Sequence, residues 1–158
     1  MALLIAVEAK GQGVLMAPTE ILARQHLEGL QPLAKAAGVS LTLLTGRDKG
    51  KDRLAKLQAL QIGQTDILIG THAVFQTDVA FGDLRLVVVD EQHRFGVRQR
   101  LELGLKGDRP DVLVMTATPI PRTLALSMHG DLDVSQIDEL PPGRTPIRTQ
   151  MLKAGQRE

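Results

Sequence analysis

Cysteine, tryptophan and tyrosine are absent from this sequence, and phenylalanine occurs only as Phe75, Phe81 and Phe95. Without cysteine there is no disulfide framework, no thiol nucleophile and no cysteine-based zinc site. With so few aromatic rings, a platform on which nucleic-acid bases stack is nearly excluded. An excess of one charge is missing too: 19 Lys and Arg stand against 18 Asp and Glu, a formal charge of +1. A protein that coats nucleic acid would be far more basic, so any such contact must be local. No run approaches the roughly 18 apolar residues of a membrane span. The opening Met-Ala-Leu-Leu-Ile-Ala-Val-Glu stretch has one short apolar run and no basic flank, unlike a signal peptide. The expectation is a soluble cytoplasmic protein.

What is present is an ordinary globular composition, 43% hydrophobic and 23% charged over 158 residues. That length fits one domain with a core of its own. Residues 2–10 read as the end of a helix closed by Gly11 and Gly13. Val14–Ala17 reads as a strand, and Thr19 as the N-cap of a helix carrying Leu22, His26, Leu27, Leu30 and Leu33 at helical spacing. Val39–Thr45 is a further strand, Gly46–Gly50 a charged turn, and Leu54, Leu57, Leu60 and Ile62 mark another helix. Asp66–Gly70, Leu84–Asp90 and Val112–Met115 are apolar strands, with a short element at Thr71–Phe75 after the first. A helix follows over Pro121–His129 and a last strand over Asp133–Ile137. Short apolar strands that do not alternate, separated by helices, predict an α/β fold: a parallel sheet with helices on both faces. Five of the eight prolines lie beyond residue 118, and Leu140-Pro-Pro-Gly-Arg-Thr-Pro146 reads as a linker.

In open parallel sheets, ligands bind beyond the carboxyl ends of the strands. Four such ends carry reactive or polar residues directly after an apolar run: Pro18-Thr19-Glu20, Gly70-Thr71-His72, Asp90-Glu91-Gln92-His93 and Thr116-Ala117-Thr118-Pro119. Adjacent carboxylates at a buried strand end are costly unless a cation or hydrogen bonds compensate. One reading gives Asp90 a Mg²⁺ ion and Glu91 a water to orient and deprotonate. The other has the two acids simply opening the next helix, where its dipole favours them. Thr116 and Thr118 either hydrogen-bond the acidic loop or cap the helix after Pro119. His26, His72, His93 and His129 lack the paired spacing of a zinc helix.

A nucleotide-hydrolysing site calls for a phosphate loop, and the only candidate is Gly46-Arg-Asp-Lys-Gly-Lys-Asp52. It is one residue short of the required spacing, and Asp52 stands where Ser or Thr should ligate Mg²⁺. It reads as a solvated turn. Arg94, Arg98, Arg100, Lys106 and Arg109, and the tail residues Arg144, Arg148, Lys153 and Arg157, are interspersed with acids and read as solvated surface.

Four segments nevertheless occur together in order: Met16-Ala-Pro-Thr-Glu-Ile-Leu-Ala-Arg-Gln-His26, Ile69-Gly-Thr-His-Ala73, Asp90-Glu-Gln-His-Arg-Phe-Gly96 and Met115-Thr-Ala-Thr-Pro-Ile-Pro-Arg-Thr-Leu-Ala125. They resemble motifs Ia, Ib, II and III of superfamily 2 helicases of the DExH kind, most closely the RecG family of bacterial branch-migration helicases. Gly130-Asp-Leu-Asp-Val-Ser-Gln-Ile-Asp-Glu-Leu-Pro-Pro-Gly-Arg144 resembles the same family. Transcription-repair coupling factors share Arg94-Phe-Gly96 and Thr116–Thr123 and are the alternative. A second alternative is a non-enzymatic DNA-binding module.

The resemblance implies a RecA-like motor domain over residues 1–139 and, over 140–158, a linker towards a second motor domain. It implies an ATP-dependent helicase that remodels branched DNA, forks and Holliday junctions, in recombination and repair. Asp90 would hold Mg²⁺ through water, and Glu91 would be the base that positions the attacking water. Gln92, His93, Thr116 and Thr118 would couple the nucleotide site to motif III. Pro18, Thr19, Thr71 and His72 would touch the DNA backbone, as would the Thr45-Gly46 turn. In the family a strand and a phosphate loop with its lysine come before the helix that here starts at residue 2, and a wedge domain lies further upstream. The chain as given is therefore expected to lack the first strand and phosphate loop, and not to hydrolyse ATP alone. Its motif III strand is expected to miss a neighbour, inviting self-association through that edge.

Overall fold

The apolar runs pair into one parallel sheet, because strands covered on both faces bury their side chains without alternation. In the computed structural model, residues 1–91, 109–117, 133–139 and 143 are described. The elements run α1 (Ala2–Glu8), β1 (Gln12–Met16), α2 (Glu20–Ala37), β2 (Leu41–Leu44), α3 (Gly50–Gln61), β3 (Ile67–Gly70), a 3₁₀ turn (His72–Phe75), β4 (Leu84–Val89) and β5 (Asp111–Val114). The strand order is β2-β3-β1-β4-β5, and every pair is parallel. The predicted α/β class is thus observed.

Two cores sandwich the sheet. Val14 and Met16 of β1, Leu68 of β3, and Val87 and Val89 of β4 join Leu60 of α3 and Val74 of the 3₁₀ turn on one face. On the other, Leu15, Ala17, Ile67, Ile69 and Val88 meet Ala23 of α2, with Leu3 and Val7 of α1 and Leu22, Leu27 and Leu30 of α2 packed against them. The chain moves outward from β1 to β2 across the α2 face and returns to β3 across the α3 face. A uniform crossover hand requires that reversal. A bulge at the start of β4, where Gln12 pairs with Leu84 and Gly13 with Leu86, skips Arg85. It explains why Leu84 shares a face with Val87 rather than with Leu86.

Not every apolar helical position is core. Leu33, Leu54 and Ile62 are exposed, while Leu57 and Leu60 carry the packing of α3. Gly70 is required by close approach: a Cβ there would lie 2.7 Å from the Leu44 carbonyl oxygen and 2.6 Å from Val74 Cγ2. The edge strand β5 pairs with β4 on one side, and its Val112 and Leu113 are exposed.

The chain divides into two compact units, Met1–Thr118 and Pro119–Glu158. The sheet belongs to the first. In the second, Asp133–Ile137 is described and forms no strand, contrary to the expectation from its sequence. Its residues are exposed, so it lacks the cover that holds the parallel strands of the first unit. The helix expected over Pro121–His129 lies outside the described residues, as do Gln92, His93 and Thr118.

Candidate functional site

The registers bring the strand ends level. Met16 stands opposite Gly70 and Val89, Leu44 opposite Gly70, and Val89 opposite Val114. Beyond this line the ladder continues one step: Ala17 N–H donates to Gly70 O at 2.9 Å, Asp90 N–H to Met16 O at 2.9 Å, and Met115 N–H to Val89 O at 2.8 Å. The carboxyl edge therefore presents, in order, Thr45-Gly46, Thr71-His72, Pro18-Thr19, Asp90-Glu91 and Thr116. The residues read as strand-binding occupy the β2-β3-β1 half. Those read as nucleotide-handling, where described, occupy the β4-β5 half.

Alternation along β4 carries Asp90 to the face of Leu86 and Val88, which α2 covers. There His26 Nε2 lies 2.7 Å from Asp90 Oδ2, across 64 positions of sequence. Both side chains are partly buried, at 29% and 21% exposure. This partner of Asp90 closes the first of the four motif segments, where the sequence assigns it no role. Glu91 has φ +53, a left-handed backbone that only glycine adopts freely. Such outliers cost about 1–3 kcal/mol and gather at functional sites.

The other half is built from helix starts and turns. Thr19 caps α2 as expected, its Oγ1 accepting from Leu22 N–H at 3.3 Å. Glu20 in the first turn binds Arg24 at 2.9 Å and Arg47 at 3.1 Å, which ties the β1 and β2 ends together. Arg47, 80% exposed at its side chain, lies outside all four motif segments. Thr45 and Thr71 are buried, whereas Gly46 and His72 are exposed. Surface chemistry on this half therefore falls to His72, Arg47 and backbone amides more than to threonine hydroxyls.

The Gly46–Asp52 segment closes on itself. Asp48 Oδ2 accepts from Thr45 N–H at 2.7 Å and from its Oγ1 at 3.2 Å, and Lys56 Nζ donates to Oδ1. Its own carboxylate fills the donors a phosphate would need, in keeping with a turn rather than a phosphate cradle. Burial pushes the Asp48 carboxyl up, but the Lys56 hydrogen bond, the Thr45 amide and the Lys56 charge outweigh it and hold it below the usual range. The sign follows: the lowered group stabilises the fold above its unfolded value of about 3.9, and that contribution fades as pH falls through the folded value. Asp48→Asn should cost about 1 kcal/mol at neutral pH. The gap from wild type should close in urea melts run progressively below about pH 4; a gap that persists in acid would refute the ionic account.

Among the described residues no cluster of three or more metal-ligating side chains forms. Nor is any described helix long and apolar enough to cross a membrane. The sequence pattern of DEAD/DEAH box helicases matches residues 1–126, which span β1 to β5 and every strand end above. The chain belongs to the DEAD/DEAH box helicase family. This DEAD/DEAH box helicase chain is 51% identical over 161 residues to the ATP-dependent DNA helicase RecG of Haemophilus influenzae, covering 99% of the chain and 23% of that protein. It is 54% identical over 153 residues to RecG of Bacillus subtilis, covering 97% and 22%. The chain thus spans about a fifth of the length of these curated relatives.

Among solved structures it resembles RecG bound to a three-way DNA junction, with a TM-score of 0.69 and 43% identity over 85% of this chain and 18% of that one. Mycobacterium smegmatis Lhr bound to ssDNA and AMP-PNP shares the fold at a TM-score of 0.56 and 16% identity, covering 72% of this chain and 15% of that one. The RecG resemblance carried by the motifs thus extends over nearly the whole chain.

Proposed function

We propose that this DEAD/DEAH box chain forms most of the first motor domain, residues 1–139, of a longer ATP-dependent DNA helicase that remodels branched DNA in the bacterial cytoplasm. Residues 140–158 lead towards a second motor domain, and a wedge domain of the same protein meets the junction. The observation that carries the reading is the level carboxyl edge, with acids on one half and helix starts and an exposed histidine and arginine on the other.

On the β4 half the donor set suits Mg²⁺, which takes oxygen ligands, keeps several waters and relies on substrate phosphates rather than a protein cage. Asp90, whose Oδ2 engages His26, would hold the ion through water. Bound there, the ion would neutralise charge developing on the phosphates of ATP. Glu91 accepts a proton from the attacking water and aims it. Gln92 and His93, with Thr116 and Thr118, relay the state of that site to the motif III strand.

On the β2-β3-β1 half, Thr19, Gly46, Thr71 and His72 meet the phosphodiester backbone through amides and polar side chains, with Pro18 beside them in apolar contact, and such contacts position a strand without reading its sequence. Arg47 adds a charge beside Gly46. Hydrolysis is assigned to the longer protein.

The test is binding of the full-length protein to forked DNA over a salt series. Removing one ionic grip on a phosphate should flatten the slope of log K against log salt by about 0.7 on a single strand. Arg47→Ala should weaken binding at low salt and flatten that slope, and His72→Ala should weaken binding. Affinity indifferent to ionic strength would sink the strand-binding assignment.

A further inference from the structure

Most side chains that the fold brings to the carboxyl edge belong to one half or the other, but one side-chain contact joins the two. His26 sits seven residues into α2, on the helix whose start, at Pro18-Thr19, lies in the strand-binding half. Its imidazole reaches across to Asp90 at 2.7 Å. The helix between is held firmly: Thr19 caps it, Ala23 N–H bonds Thr19 O at 3.0 Å, and Ala23 is fully buried against the sheet. A rigid helix carries a displacement at its first turn to a side chain about 10 Å along its axis. Asp90 is held from the other side, through its N–H to Met16 O, by β1 itself. The segment β1–Pro18-Thr19–α2 therefore touches Asp90 twice, once through backbone and once through His26.

We propose that His26 is a positioning residue that transmits strand engagement at the start of α2 to the Asp90 carboxylate. A purely structural role would only satisfy a partly buried carboxylate. A transmitting role makes nucleotide affinity depend on DNA, and DNA affinity on nucleotide by the same factor. The imidazole of His26 is engaged with Asp90, so its removal should spare binding to each half alone. What it removes is the factor between them.

This inference rests on the proposed function, and the experiment separates the two. Affinity of the full-length protein for Mg²⁺ with a non-hydrolysable ATP analogue is measured by calorimetry with and without saturating single-stranded DNA. Wild type should show tighter binding with DNA, by a factor in the range of about 5–150. His26→Ala should bring that factor close to one, with DNA-free nucleotide affinity within about threefold of wild type. His26→Gln, whose amide N–H also donates to a carboxylate, should restore most of it and guards against an effect of misfolding. An undiminished factor in His26→Ala overturns the role of His26, as does a wild-type factor of one. Wild type that binds no nucleotide at all overturns the functional reading instead.

Discussion

Replacing Glu91 by glutamine should cut ATP hydrolysis by the full-length protein about 10²–10⁴-fold, the range ascribed to a positioned general base. The substitution keeps length, shape and the demand for a left-handed backbone at φ +53, so the strain at that position is unchanged. Only the capacity to take a proton is removed. Asp90 and its contact with His26 are untouched, so nucleotide should still bind. The loss should fall on kcat with KM little altered, because a group that acts on the attacking water contributes in the transition state. A steady-state assay with forked DNA present reads both constants. Full turnover in Glu91→Gln would show that the carboxylate is no base. A rise in KM alone would make it a binding group.

The second large effect lies at the opposite end of the sheet. Gln12 begins β1, is buried, and satisfies its side-chain amide fully. Its Nε2 donates to Leu60 O at 2.8 Å and Thr65 O at 2.7 Å, and its Oε1 accepts from Gly82 N–H at 2.7 Å and Asp83 N–H at 3.0 Å. One side chain thereby ties the end of α3, the approach to β3 and the approach to β4. Gln12→Leu removes all four bonds, stranding Thr65 O and the Gly82 and Asp83 amides and leaving Leu60 O with the Gly63 N–H alone. Unsatisfied buried groups cost about 1–3 kcal/mol each. Gly82 and Asp83 are exposed and water reaches their amides, so the loss should be about 2–4 kcal/mol, a large share of the roughly 5–15 kcal/mol that holds an ordinary domain. Urea denaturation reads it directly. A loss under about 1 kcal/mol would mean that the four bonds are no better than those to water.

The contrast between these residues explains what was legible in the sequence. The strands were, because their apolar runs have no other use in a chain of this composition. Their ends were less so. Gln12 hides the start of β1, since a polar residue at a strand end looks like loop until its four partners are known. The expected strand from Val39 begins instead at Leu41, because Ser40 trades hydrogen bonds with Asp66, its N–H and Oγ donating to Oδ2 at 2.7 and 2.8 Å. Leu33, Leu54 and Ile62 fit helical spacing but face solvent, for periodicity marks a helix without saying how much of its stripe is covered. At the site, Asp90 and Glu91 announced themselves by standing after Val89. His26 and Arg47 did not, because their partners, Asp90 and Glu20, lie 64 and 27 positions away. Only the strand order brings them together.

β1 links the staple formed by Gln12 to the turn at Pro18-Thr19, seven residues further on. At about 3.3 Å per residue the two lie on the order of 20 Å apart, beyond the range over which substitutions usually interact. Selection can therefore adjust robustness and performance on this scaffold with separate sets of residues. A lineage adapting to heat is free to rework the amino end of the sheet, while the carboxyl end keeps its chemistry and tolerates no such drift.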